Sequence, residues 1–87
     1  MNNPMLITLQ FGKMKAKYPD ALLIFRRGDF YCALEEDAVK LAQLLGITLT
    51  RYSSDRHREA MFPAHCLDTY LPKIIRAGNR VAICDAV

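Results

Sequence analysis

The sequence predicts a single α+β domain in which helices pack against one mixed β-sheet. Its 87 residues are enough chain for one hydrophobic core and too few for a second. A composition of 52% hydrophobic and 24% charged residues is typical of an ordered globular protein. Segments with helical apolar spacing and short apolar runs follow one another in the order α-β-β-α-β-β-α-β. We therefore expect one domain over residues 1–87, with about five strands and about three helices.

Three segments have the apolar spacing of helices. They are expected at residues 4–18, 35–45 and 67–77. The first begins with a cap and a proline, and its apolar stripe consists of Ile7, Phe11, Met14 and Tyr18. The second begins with three acidic residues, places Ala38, Leu41, Ala42 and Leu45 on its buried face, and ends at Gly46. The third contains Pro72, for which we expect either a kink or a helix that starts only near Asp68.

Five short segments are predicted as strands. They lie at residues 22–27, 29–34, 47–52, 60–62 and 80–87. We expect the fourth to be a short edge strand closed by Pro63, because proline cannot donate to a sheet ladder. In the last strand, residues 81–84 are too apolar for an exposed position.

The segment of residues 22–34 is the centre of the prediction. A turn at Gly28 and Asp29 joins its two strands. Because side chains alternate along a strand, Phe30 and Cys32 share one face and Tyr31 takes the other. An aromatic ring beside two arginines and a glycine can stack on a nucleic-acid base. The alternative, with both rings packed in the core, is the more common arrangement of such residues.

Basic residues are concentrated in a polar loop at residues 53–59. This loop holds Arg56, His57 and Arg58, with Arg51 directly before it. A basic loop can contact phosphates, although a solvated loop without a ligand is the default interpretation. The net charge of +3 permits a polyanionic partner without requiring one.

Several function classes receive little support from the sequence. Three cysteines without a CxxC pair indicate neither a disulfide framework nor a zinc site, and we expect no metal and no cofactor. A thiol–imidazole arrangement of Cys32, His65 and Cys66 is the best catalytic alternative, but His65 and Cys66 are adjacent and point in different directions. Because that catalytic alternative is weak, we expect that the protein is not an enzyme. No apolar run could cross a bilayer and no signal peptide is present, so we expect a cytoplasmic protein.

Four sequence blocks indicate a family. The first block, which looks like QY…KA..PD, consists of Gln10 and Phe11 with Lys15, Ala16, Pro19 and Asp20. The second, residues 22–31, looks like LLFFRxGDFYE, and the third, which looks like DA…LL…LT, consists of Asp37 and Ala38 with Leu44, Leu45, Leu49 and Thr50. The fourth looks like VPxH…YL…G..VAICEQ and consists of residues 62–65 with Tyr70, Leu71, Gly78 and residues 80–84. With these blocks the chain resembles domain I, the N-terminal mismatch-recognition domain, of the MutS family of DNA mismatch repair proteins.

The resemblance implies a DNA-binding role. In that family, the phenylalanine of an F-x-E motif wedges beside a mispaired base from the minor groove, and the glutamate hydrogen-bonds that base. Phe30 matches the phenylalanine, whereas Cys32 stands at the glutamate position and Met61 stands where the family has a glycine. A thiol cannot replace the acceptors of a carboxylate. The predicted DNA-binding residues are Phe30 and Cys32, at the two motif positions, and the basic residues Arg26, Arg27, Arg51, Arg56 and Arg58, which would hold phosphates, with Lys13 as a further candidate.

The resemblance also limits what we expect of the chain. No GxxxxGK[ST] motif is present, so we expect no ATPase, and the remaining parts of a MutS protein do not fit into 87 residues. The chain is therefore interpreted as an isolated or stand-alone domain I that binds mismatched or kinked double-stranded DNA. The alternative is a protein-interaction module or homodimer that keeps the fold without reading mismatches, for example by pairing sheet edges.

Overall fold

The structure is a computed structural model that describes residues 4–51 and 58–84, with side chains described over residues 9–50 and 58–84. The helices of these residues are α1 (Pro4–Lys17), α2 (Glu35–Leu45) and α3 (Leu67–Arg76), with a 3₁₀ turn at Ala64–Cys66. The strands are β1 (Ala21–Arg27), β2 (Phe30–Leu34), β3 (Leu49–Arg51), β4 (Arg58–Pro63) and β5 (Arg80–Cys84). The predicted element order and the α+β class are confirmed.

The five strands form one mixed sheet in the order β3-β4-β2-β1-β5. Strands β1 and β5 are parallel, whereas the β1–β2, β2–β4 and β3–β4 pairs are antiparallel. Strand β2 therefore lies in the middle of the sheet, and β3 and β5 are its edges.

The hairpin that joins β1 and β2 has a two-residue turn. Gly28 has φ +62°, which suits the first central position of a type II′ turn, a turn whose twist matches that of the flanking strands. Arg27 and Phe30 are cross-strand partners on either side of this turn. The Asp29 carbonyl accepts a hydrogen bond of 2.7 Å from the Ala64 N–H, which ties the turn to the end of β4.

One face of the sheet, called here the two-helix face, packs against α2 and α3. Its buried members are Leu22, Ile24, Tyr31, Ala33, Ala60 and Phe62 of the sheet, with Ala38 and Leu41 of α2 and Ile74 of α3. The Phe62 ring lies 5.7 Å from the Tyr31 ring and 5.1 Å, edge-on, from the Tyr70 ring (centroid distances). These aromatic contacts join the sheet to α3.

The opposite face, called here the α1 face, is covered by a single helix. Its buried members are Ala21, Leu23, Phe25, Cys32 and Cys84, against which Phe11 and Met14 of α1 pack. The ring centroids of Phe11 and Phe25 are 6.2 Å apart. None of the helices in the described residues is long and apolar enough to cross a bilayer.

A buried carboxylate connects the two helical layers. Asp37, at the start of α2, accepts hydrogen bonds from Lys15 Nζ at 2.9 Å and from the Leu23 N–H at 3.1 Å. The Lys15 ammonium also donates to the Ala21 carbonyl at 2.6 Å. This cluster fixes α1 and α2 relative to β1, and nothing in the sequence pattern had indicated it.

The predicted helix faces are largely confirmed. Ala38 and Leu41 are buried, while Ala42 and Leu45 pack at the margin of the same cluster. The prediction for Tyr18 is wrong: α1 ends at Lys17, and Tyr18 is exposed beyond it. The Ile7 side chain lies outside the described residues.

Pro72 is the sixth residue of α3, a helix that begins at Leu67, close to the expected start near Asp68. Its missing N–H removes the hydrogen bond to the Asp68 carbonyl four residues earlier. The 3₁₀ turn before Leu67 leads the chain from Pro63 into this helix.

Two predictions about the strands are wrong. Residues 60–62 belong to the longer strand β4, which is an interior strand because β3 and β2 pair on its two sides. The last strand, predicted to be too apolar for an exposed position, is one of the two edges, and Ile83 is 47% exposed there, although its neighbour Cys84 is buried. Tyr52 and residues 85–87, which were assigned to strands, lie outside the described residues.

Candidate nucleic-acid interface

The α1 face is open near the β1–β2 hairpin. Phe30 is 42% exposed and Met61 is 38% exposed, and the Arg27 side chain is partly exposed. Alternation along the strands puts all three side chains on the α1 face, since Phe30 lies opposite Arg27 and Met61 lies opposite Cys32. Arg27, Phe30 and Met61 are called the open patch below.

The two aromatic residues after the turn point to opposite faces, as predicted. Tyr31 is buried on the two-helix face, whereas Phe30 projects from the α1 face at the first position of β2. The alternative interpretation, with both rings in the core, is therefore wrong for Phe30. An exposed phenylalanine on a short, hydrogen-bonded hairpin is held in place while its ring stays accessible.

Cys32 lies two residues further along β2 on the same face and is fully buried. Its thiol interacts with both Arg27 and Glu59. Burial, with a further contribution from Glu59, raises the pKa of Cys32 to about 11. A neutral, buried thiol does not offer a contact to DNA, so Cys32 is no longer proposed as a DNA contact.

An ion pair lies next to this thiol. Arg27 Nη1 donates to Glu59 Oε2 at 2.6 Å, and Glu59 is only 3% exposed. Arg27 is on β1 and Glu59 is on β4, so the pair spans the intervening strand β2 where that strand carries Cys32. The guanidinium is thus held in a fixed direction on the α1 face.

The second arginine of the hairpin takes the other side. Arg26 Nε donates to the Gly28 carbonyl at 2.6 Å, and its guanidinium carbon lies 5.4 Å from the centre of the Tyr31 ring. Arg26 itself is exposed. Cations therefore flank the hairpin on both faces of the sheet.

Among the described side chains, the predicted basic residue Arg58 does not join this site. Arg58 is in strand β4 and not in a loop, five residues along that strand from Pro63, the partner of Phe30. At about 3.3 Å per residue this separates Arg58 from the Phe30 position by roughly 17 Å. Arg51 pairs with Arg58 in the ladder, so both arginines belong to the far end of the sheet.

Arg58 is also engaged in contacts of its own. Its guanidinium donates to Glu36, which raises the pKa of Arg58, and its backbone N–H donates to Glu35 at 3.0 Å. The Arg51 side chain and all of Arg56 lie outside the described residues. Lys13 is exposed on α1.

The suggested thiol–imidazole arrangement is not assembled. Cys32 is buried on the α1 face, Cys66 packs at the margin of the two-helix face, and His65 is exposed. The three cysteines are free thiols, and the described residues contain no group of three or more side chains that could hold a metal ion.

Glu59 is the site residue that sequence reasoning missed. It was assigned to the polar loop at residues 53–59, whereas the structure places it inside β4. A signal was present in the alternation of that strand: Glu59 and Met61 share one face, while Ala60 and Phe62 share the other. An acidic residue at an inward position of a strand indicates a buried partner, here Arg27.

Fold and site together define a class of protein: a small α+β domain whose sheet presents an aromatic residue and two arginines at one hairpin. The chain belongs to the MutS domain I family, which matches residues 4–87.

Full-length relatives agree with this assignment. The DNA mismatch repair protein MutS of Phocaeicola vulgatus is 54% identical over 79 residues, and that of Bacteroides fragilis is 56% identical over 79 residues. In each case the match covers 87% of this chain but only 9% of the relative. The chain thus corresponds to about a tenth of the length of these proteins.

Proposed function

We propose that this domain binds double-stranded DNA at mismatched or kinked steps and inserts the Phe30 ring between bases from the minor groove. The observation that carries the proposal is the exposure of Phe30 at the hairpin, at the position to which the sequence resemblance assigns the wedge. An apolar ring beside a deformable base step can unstack and kink the duplex without any base-specific hydrogen bond.

The arginines at the hairpin supply the electrostatic part of the proposed interface. Arg26 lies next to Phe30 on the face of the sheet opposite Arg27, so it can contact a phosphate beside the inserted ring. Arg58 and the backbone of Arg51 lie at the far end of the sheet. With one or two phosphate contacts, log Kd should change with log salt concentration with a slope of about 1 to 2.

The test compares two duplexes that differ by one mispaired base. Fluorescence anisotropy at about 50 mM salt measures the affinity of the wild-type chain and of Phe30→Ala for each duplex. We expect Phe30→Ala to lower the affinity for the mismatched duplex about tenfold or more and to change the affinity for the matched duplex by less than about twofold.

Ile75→Ala is the matched control, because Ile75 is 54% exposed on α3, away from the hairpin. This variant should leave both affinities unchanged. Equal losses for both duplexes in Phe30→Ala would show that Phe30 has a structural role and would reject the wedge.

A second function is favoured by a different observation. Among the described strands, β5 is paired on one side only, and Ile83 is 47% exposed on it. An open strand edge with an apolar side chain can pair with a second copy of the chain or with another protein. This candidate is a protein-interaction module or homodimer that keeps the domain I fold.

Light scattering over a range of protein concentrations separates the two candidates. A dimer that is abolished by Ile83→Lys, together with no anisotropy change on either duplex at low salt, would select the interaction module. A monomer that binds the mismatched duplex would select DNA recognition.

A further inference from the structure

We propose that the polar group accompanying the Phe30 wedge in this chain is the Arg27 guanidinium, positioned by the buried Glu59 carboxylate, and that it donates hydrogen bonds to base acceptors in the minor groove. This inference rests on the proposed function and deepens it. It replaces an acceptor, the glutamate of the family motif, with a donor at the same place on the sheet.

The placement follows from the strand register. The motif carboxylate would project from position 32, two residues after the wedge on the α1 face. In this chain the position holds a small thiol that is fully buried and interacts with both Arg27 and Glu59. The ion pair therefore occupies the region that a longer side chain at position 32 would enter.

Burial distinguishes the roles of the two charges. The Glu59 side chain is 3% exposed, so it cannot reach a bound duplex, whereas 23% of the Arg27 side chain is exposed. A buried carboxylate requires a partner, and the 2.6 Å contact holds one side of the planar guanidinium in place. That contact fixes the plane of the guanidinium, and the exposed part of the Arg27 side chain lies on the open side of the pair, which makes Glu59 a positioning residue.

The chemistry of a guanidinium predicts how this group would select its target. Arginine only donates hydrogen bonds. The minor groove of A·T and T·A pairs presents only acceptors, adenine N3 and thymine O2. A donor beside the wedge can therefore bond whichever base is displaced, while a carboxylate needs a base that offers an N–H. We expect this chain to prefer distorted steps over regular duplex, with little distinction among mispairs.

The decisive variant is the double substitution Arg27→Gln/Glu59→Gln. It removes both charges of the ion pair together and keeps the net charge of the chain. We expect its affinity for the mismatched duplex to fall about tenfold, its affinity for the matched duplex to stay within about twofold, and its salt slope to stay unchanged.

Asp68→Asn/Arg76→Gln is the control, because it removes one charge of each sign from exposed positions on α3. The control should leave both affinities unchanged.

A second variant covers a failure of the double variant to fold, which circular dichroism would reveal. Arg27→Lys keeps a cation opposite Glu59 but loses the planar fork. It should keep the affinity for matched duplex and lose at least half of the preference for mismatched duplex.

Three outcomes overturn the inference. Equal losses on both duplexes, with a salt slope reduced by about one, would make Arg27 a phosphate contact. Unchanged affinities in both variants would make the ion pair purely structural. A clear preference of the wild-type chain for mispairs with an exposed imino N–H would indicate an acceptor at the site.

The proposed function fails separately. It fails if the wild-type chain binds neither duplex or if Phe30→Ala has no effect on its preference. If Phe30→Ala abolishes the preference and the Arg27 variants retain it, only the inference about Arg27 is rejected.

Discussion

The two faces of the sheet are closed to different degrees. The two-helix face is covered by α2 and α3, and its aromatic residues are buried against one another. The α1 face has one helix, which covers β1 and part of β2 and leaves Phe30 and Met61 exposed. One side of the sheet is thus closed within the core, while part of the other side stays exposed.

Phenylalanine occurs on both faces, which allows a direct test of this division. Phe62 is 1% exposed between Tyr31 and Tyr70 on the two-helix face, and Phe30 is exposed on the α1 face. We expect Phe62→Ala to lower the free energy of unfolding by about 3 to 5 kcal/mol and Phe30→Ala by less than about 1 kcal/mol. Urea denaturation at pH 7 measures both.

Similar losses for the two phenylalanine variants would mean that the Phe30 ring packs against the domain in solution. The distinction between the buried two-helix face and the exposed open patch would then be wrong.

The two arginines of the hairpin provide the next largest contrast. Arg27→Ala removes the 2.6 Å ion pair of the buried Glu59 carboxylate, and we expect a loss of about 3 kcal/mol. Arg26→Ala removes an exposed side chain that donates to a turn carbonyl, and we expect a loss below about 1 kcal/mol. The same urea measurement decides the matter, and Arg27→Ala/Glu59→Gln should recover most of the larger loss.

If Arg26→Ala proves the more costly of the two, the turn contact holds the hairpin more strongly than the buried ion pair does. The assignment of Glu59 as a positioning residue would then lose its basis.

Most of the two-helix face could be predicted from the sequence, and most of the open patch could not. Helical spacing identified Ala38 and Leu41 because both face the core from α2. Strand alternation likewise separated Phe30 from Tyr31. Such patterns are local, so they need no knowledge of which strands become neighbours.

The parts that were missed depend on long-range pairing. Strand β4 was assigned to the edge because only three of its residues had a strand pattern, whereas pairing on both sides extends it to Arg58. The contacts Arg27–Glu59 and Lys15–Asp37 each join residues more than 20 positions apart. No periodicity in a single segment reports such a contact, and the separation of Arg58 from the hairpin follows from the same register.

The pH dependence of stability reports whether the Cys32 thiol is shielded from solvent. Its pKa is raised from 9.0 to about 11 in the folded chain, so the unfolded chain releases this proton first as the pH rises. Stability should therefore be complete below about pH 9 and fall by about 2 to 3 kcal/mol as the pH approaches 11. Urea denaturation of the wild-type chain and of Cys32→Ala at several pH values isolates this effect, because all other groups titrate in both proteins. Parallel pH profiles would show that the thiol is open to solvent.

The smallest expected effect concerns the carboxylate of the family motif. Cys32→Glu would place a second carboxylate beside the Arg27–Glu59 pair, so two negative charges would share one guanidinium. We expect Cys32→Glu to cost about 1 kcal/mol more in the wild-type background than in Glu59→Gln, where the new carboxylate would not compete with the Glu59 charge for Arg27. A double-mutant cycle of unfolding free energies measures this coupling, and Cys32→Gln serves as the uncharged control of similar size. Additive costs would mean that positions 32 and 59 do not share Arg27, and that a carboxylate at position 32 would point away from the ion pair toward solvent.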